Sequence, residues 1–167
     1  MDNAGNRIAK AFRDMLMERR YNAITVRMIA NRAEVTPRTF YSHFRTKDDL
    51  LSATLIADLN QAVRSIPCTK RGWDRIYKLL LHMKRNIWLY RIPFQETADA
   101  SVHFHFHRML EDFIINAFPR SIDDRKPYAL IADAMIVRIS VWLSLPVSYP
   151  ASRFTEELRI SMRDVPD

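Results

Sequence analysis

Residues 25–47 read TVRMIANRAEVTPRTFYSHFRTK, and three threonines in this stretch stand just before a helical pattern. Thr25 precedes a short run holding Val26, Ile29 and Ala30. Thr36 precedes Pro37, whose fixed φ suits a first helical position, and Thr46 precedes Lys47, Asp48, Asp49 and then Leu50 and Leu51. A threonine hydroxyl at such a place accepts from an amide that the helix start leaves unpaired. The pattern therefore predicts two short helices back to back and a longer one behind them, with two acids in its first turn where the helix dipole favours them.

The short helices divide into an inner and an outer set. Val26, Ile29, Ala30, Val35, Phe40 and Phe44 are placed to form a small core, and Ala30 is small where two helices must approach. Arg27, Thr36, Arg38, Thr39, Tyr41, Ser42, His43, Arg45 and Lys47 fall outside it. This outer set mixes phosphate donors, base-edge donors and methyl-bearing threonines, which suits duplex DNA better than a membrane surface. Support helix, tight turn and a second helix with an exposed first turn are the parts of a helix-turn-helix. The amides at the starts capped by Thr25 and Thr46 are further phosphate donors in this reading.

Upstream, Ile8, Phe12, Met15 and Leu16 follow a helical period with Arg7, Lys10, Arg13 and Asp14 outside, predicting a first helix over about 6–19. The chain holds only two glycines, Gly5 and Gly72, and no alternating strand pattern, so the fold class is all-α. Pro67 to Gly72 interrupts the periodicity. We expect a DNA-binding domain over 1–50, a connecting helix over 47–66, and a helical domain over 51–167. Its helices are expected near 73–91, 94–118 in one or two pieces, 127–145 and 152–162.

With 26 Lys and Arg against 19 Asp and Glu, the formal charge of +7 favours a polyanionic partner. The single cysteine, Cys68, excludes an intramolecular disulfide and suits a reducing cytoplasm. The first residues lack the apolar core of a signal peptide. Asp133 and Arg138 interrupt the apolar stretch 128–145, which is thus expected to be a buried helix with no membrane partner.

The ordered set Thr25-Val26-Arg27-Met28-Ile29-Ala30, Ala33-Glu34-Val35-Thr36, Thr39-Phe40-Tyr41-Ser42-His43-Phe44 and Lys47-Asp48-Asp49-Leu50-Leu51 resembles the tetracycline-repressor (TetR/AcrR) family over roughly residues 6–56. The resemblance implies an N-terminal three-helix helix-turn-helix domain plus a C-terminal helical ligand-binding and dimerisation domain. It puts Thr36, Pro37, Arg38 and Thr39 at the start of the recognition helix, with Arg38 as the candidate bidentate reader of a guanine. Tyr41, His43 and Lys47 match positions that grip the backbone or nearby bases, and Thr25 and Arg27 match support-helix contacts. It also implies double-stranded, near-palindromic operator DNA as partner, repression as the mode of control, and no cofactor. Two positions depart from the family: Arg20 and Glu34 stand where glycine is usual, at bends where a positive φ is common.

The helix expected over 127–145 is apolar almost all round, so one face should meet the core and another a partner. A homodimer interface is expected from Ile131, Met135, Ile139 and Trp142, joined by Phe154 and Leu158 of the last helix. Tyr77, Trp88, Phe104 and Phe106 are the candidate pocket for a small-molecule effector, with ordinary core as the competing reading. His103, His105 and His107 lie with Asp99 and Glu111 on a polar face opposite Val102, Phe106 and Leu110. A solvated face explains them without a metal, and Ser101 beside them belongs to no nucleophile motif, so no enzyme is expected. The rival functional reading is a chromosome-organising or adaptor protein with the same reading head and no inducer.

Overall fold

The computed structural model describes residues 4–67, 72–94, 99–118, 128–145 and 149–162, without the side chains of residues 128 and 129. All regular elements among them are helical: α1 (Ala4–Glu18), a 3-10 turn (Tyr21–Ala23), α2 (Val26–Arg32), α3 (Pro37–His43), α4 (Lys47–Ser65), α5 (Gly72–Arg85), α6 (Ile87–Tyr90), a second 3-10 turn (Ile92–Phe94), α7 (Ala100–Ala117), α8 (Tyr128–Ser144) and α9 (Ala151–Ser161). Most of the expected break after Pro67, including Cys68, lies outside the described residues, as does Pro127.

The stripe Ile8, Ala11, Phe12, Met15 and Leu16 of α1 is buried and packs against α2, α3 and α4. Ile29 and Phe40, the inward anchors of the two short helices, are wholly enclosed, as are Leu50 and Leu51 at the start of α4. Each such side chain contributes about 1.5–3 kcal/mol of burial free energy, which is how three short helices hold a fixed angle. Farther along, α4 sends Leu55, Leu59 and Ala62 into the second half, where it packs on α7 and α5. There α5 packs on α9, α7 on α8, and the Trp142 and Phe154 rings stack at 4.8 Å with planes 2° apart.

The helix expected over 73–91 is broken. Asn86 Nδ2 donates to the His82 carbonyl at 3.1 Å, and the Asn86 backbone leaves the helix at φ −111°, ψ 33°. A side-chain amide that competes for a helix carbonyl favours such a break. The next helix starts later than Pro93 suggested, at Ala100, because Asp99 caps it by accepting from Ser101 N at 2.8 Å.

Arg13, expected on the outer face of α1, instead reaches the second half. Asp58 of α4, only 4% exposed, accepts from Arg13 Nη2 (2.6 Å), His82 Nε2 (2.7 Å) and Tyr90 Oη (2.7 Å). One buried carboxylate thus ties α1 to α4, α5 and α6. Burial pushes its pKa up, but the hydrogen bonds from Tyr90, His82 and Arg13 outweigh that and hold it below the ordinary aspartate value. Burial and the same bond push the Tyr90 phenol far above its usual range, so it stays a donor.

Asp58→Ala strands a buried phenol, the Arg13 guanidinium and the His82 ring, and is expected to lower unfolding free energy by about 2–4 kcal/mol in urea titrations at neutral pH. Because the folded carboxyl is depressed, this stabilisation is present above the unfolded aspartate value and lost as pH falls through the folded one. The gap between wild type and variant should therefore close in acid.

Candidate nucleic-acid interface

All three threonine caps form. Thr25 Oγ1 accepts from Met28 N at 3.3 Å and Thr36 Oγ1 from Thr39 N at 3.1 Å. Thr46 and Asp49 make a reciprocal capping box, with bonds of 3.0 and 3.1 Å. These caps set where α2, α3 and α4 begin, and the buried Phe40 sets which face of α3 turns inward. Phe40 meets Tyr41 edge-on at 5.4 Å and lies 5.9 Å from Phe44. The opposite face of α3 then carries Thr36, Pro37, Arg38, Tyr41, Ser42 and His43, all exposed, with Thr39 half-buried among them. Thr25 and Arg27 are exposed at the start of α2.

The turn between the two helices depends on Glu34, whose φ is 53°. Val35 N donates to Ala30 O at 3.0 Å and Glu34 N to Asn31 O at 3.2 Å, the pair of bonds of a Schellman motif with a left-handed residue between. Glycine takes that conformation without cost, whereas glutamate pays about 1 kcal/mol for its Cβ. The other departure from the family pattern is different. Arg20 has φ −66° and ψ 142°, an extended conformation open to any residue, so the bend expected there to need a positive φ does not.

Two basic side chains near the short helices are committed to partners within the protein. Lys47 Nζ turns inward and donates to the carbonyls of Tyr21 (3.0 Å) and Ile24 (2.9 Å), 4.0 Å from the centre of the Tyr21 ring. It closes the carbonyl end of the first 3-10 turn instead of standing free for a phosphate. Burial lowers its pKa, partly offset by Asp48. Arg32, at the end of α2, makes a two-pronged surface pair with Glu18 at 2.6 and 2.7 Å. Tyr21 donates to Asp48 at 2.7 Å, so the acids of α4 serve the packing of the head as well as its dipole.

The expected pocket and dimer residues are also redistributed. Phe104 is 61% exposed and Phe106 is buried against Tyr90 and Phe94. Tyr77 lines a groove beside Trp73, Ser152 and Thr155, while Trp88 lines a separate groove near α1, so the four do not enclose one cavity. Met135, Ile139, Trp142 and Leu158 are fully buried, Phe154 nearly so and Ile131 partly, all within a single subunit. The core takes this face of α8 because α7 and α9 cover it. The large apolar residues left outside are Leu130, Val137 and Val141 of α8 and Ile160 of α9.

His103 and His107 stack with centres 6.1 Å apart, and His107 Nε2 lies 3.4 Å from Asp133 Oδ1. Among the described residues no group of three His, Cys, Asp or Glu side chains is placed to hold a metal ion. No helix among them is long and apolar enough to cross a membrane.

Residues 8–54 match the family of bacterial regulatory proteins known as the tetR family. Over 74 residues the chain is 32% identical to the dhaKLM operon transcriptional activator DhaS of Lactococcus lactis, a stretch that covers 44% of this chain and 39% of that relative. Its fold is shared along nearly its whole length with solved regulators. FadR of Bacillus subtilis, solved in complex with stearoyl-CoA, matches with TM-score 0.68 at 14% identity over 91% of this chain and 96% of its own. NalD, the secondary repressor of the MexAB-OprM efflux pump of Pseudomonas aeruginosa, matches with TM-score 0.62 at 18% identity over 98% and 96%. Residues 8–54 thus carry a segment similar to the tetR family, and the chain shares its fold with solved regulators; the match to DhaS spans well under half of that relative.

Glu34→Gly removes the Cβ from a left-handed residue and is expected to raise unfolding free energy by up to about 1 kcal/mol, read from the urea midpoint. Lys47→Met leaves two carbonyls without their donor and is expected to lower the melting temperature before any effect on DNA is measured; an unchanged melt would return Lys47 to the surface set.

Proposed function

We propose that this regulator binds a near-palindromic operator as a homodimer, with the first turn of α3 entering the major groove of each half-site. The observation that carries this reading is the outer face of α3, exposed and basic on top of a wholly buried Phe40. In this reading Arg38 reads a guanine edge, and Thr36, Pro37 and Thr39 make the close approach to bases. Thr25, Arg27, Tyr41 and His43 hold the phosphate backbone. Lys47 acts indirectly, by fixing α4 to the turn that precedes α2.

The dimer surface we assign is not the set of residues expected from apolar pattern. Leu130, Ala134, Val137 and Val141 repeat at helical spacing along the exposed side of α8, and Ile160 is exposed on α9. An apolar stripe on two long helices suits a two-fold four-helix interface, and that two-fold would set the spacing of the half-sites. The relatives include an activator, DhaS, and a repressor, NalD. In our reading the sign of control, expected above as repression, follows from where the operator lies relative to the promoter. Occupancy of the operator is the common step.

Selection of bound duplexes from a random pool should return an inverted repeat. On that duplex Arg38→Ala should weaken binding about 10- to 100-fold, and on a scrambled duplex markedly less; equal loss on both would make Arg38 a phosphate contact. Val137→Glu with Val141→Glu should give a monomer by light scattering and lose most operator affinity. A dimer that persists in this variant would place the interface elsewhere.

A further inference from the structure

A groove of about 1060 Å³ runs between the end of α1 with its 3-10 turn and the short α6 with the turn that follows it. Met17, Arg19 and Arg20 line the side belonging to the reading head, and Trp88, Arg91 and Phe94 line the other. Met17 is 66% exposed and Trp88 half-buried, so apolar surface faces solvent on both walls.

The charge of the groove is one-sided. Among its described lining residues the one acid, Glu18, is neutralised by the two-pronged pair with Arg32. The guanidinium groups of Arg19 and Arg20 are in no hydrogen bond among the described residues. Arg91 is anchored through Nε to the Leu143 carbonyl at 3.0 Å, which leaves its Nη groups for another acceptor. Apolar walls with unneutralised guanidinium groups at their rim complement a molecule with an apolar body and one carboxylate.

The two walls also belong to different halves of the protein. Beside the groove, Asp58 joins them by holding Arg13 of α1 and Tyr90 of α6. A molecule that spans the walls therefore fits one relative position of head and body better than another, which is the differential affinity an effector needs.

We propose that the groove between α1 and α6 binds an amphipathic monocarboxylate, and that its occupancy shifts the reading head relative to the body. The second half of this statement rests on the DNA-binding reading above; the first half does not.

The test uses the full chain without DNA. Calorimetry measures binding of 2-naphthoate and of decanoate, each beside its neutral amide. At least one acid should saturate at one molecule per chain and bind at least tenfold more tightly than its amide. Arg19→Ala with Arg20→Ala should weaken the acid at least tenfold and leave the amide unchanged, and Trp88→Ala should weaken both, with thermal melts confirming that each variant is folded. The site is overturned if neither acid binds, if acid and amide bind alike, or if the arginine variant keeps its affinity for the acid. It is also overturned if Trp88→Ala changes the oligomeric state by light scattering, because the groove then holds a second copy. Operator affinity is measured separately, and a saturating acid should change it at least threefold. An unchanged affinity with the acid bound overturns the coupling alone, whereas failure to bind any duplex with or without the acid overturns the DNA-binding reading and leaves the site standing.

Discussion

The carboxylate of Asp58 is the point on which the two halves of this protein meet. It lies on α4, the helix that begins in the reading head and ends in the body, and it collects one donor from α1, one from α5 and one from α6. A buried charge is tolerated only when its lone pairs are matched, and here three donors match them. Apolar packing alone would let α1 slide on α4 with little change in buried area. A hydrogen-bonded carboxylate does not permit this, since a shift of an ångström or two strands a buried oxygen. The node therefore sets the position of the head as well as adding stability.

The head itself is stiffened by small local devices. Three threonine caps fix the helix starts, a Schellman turn at Glu34 fixes the angle between α2 and α3, and Lys47 pins the start of α4 to the preceding turn. In the proposed reading, side chains that contact base edges must arrive in a fixed register, because each base contact tolerates little displacement. The commitment of Lys47 to backbone carbonyls and of Arg32 to a surface pair with Glu18 also narrows the set of cations left facing outward, so the exposed basic surface of α3 is carried mainly by Arg38 and its neighbour Arg45.

Most of the fold was legible in the residues. Helix starts were visible because a cap and the amide it satisfies lie three residues apart, and the inward stripe of α1 was visible because a helix that is polar on one side has only one way to face. The break at Asn86 was less visible, since an asparagine inside an apolar period is usually absorbed. The orientation of the expected dimer and pocket residues was less legible for a related reason. A helix as evenly apolar as α8 carries no phase, and only its packing against α7, with Phe154 of α9 stacked on Trp142, shows that Met135 and Trp142 face inward while Val137 and Val141 face out.

The sequence by itself determined the helical class, the reading head and the candidate side chains on α3, because all of these follow from interactions between residues within a few positions of one another. Only the tertiary structure decided that Asp58 gathers Arg13, His82 and Tyr90, that Lys47 faces inward, and that a groove opens between head and body. Those partners are separated by 23 to 45 positions along the chain. Contacts at such separations leave no periodic mark, since they depend on how whole helices cross rather than on how any one of them is patterned.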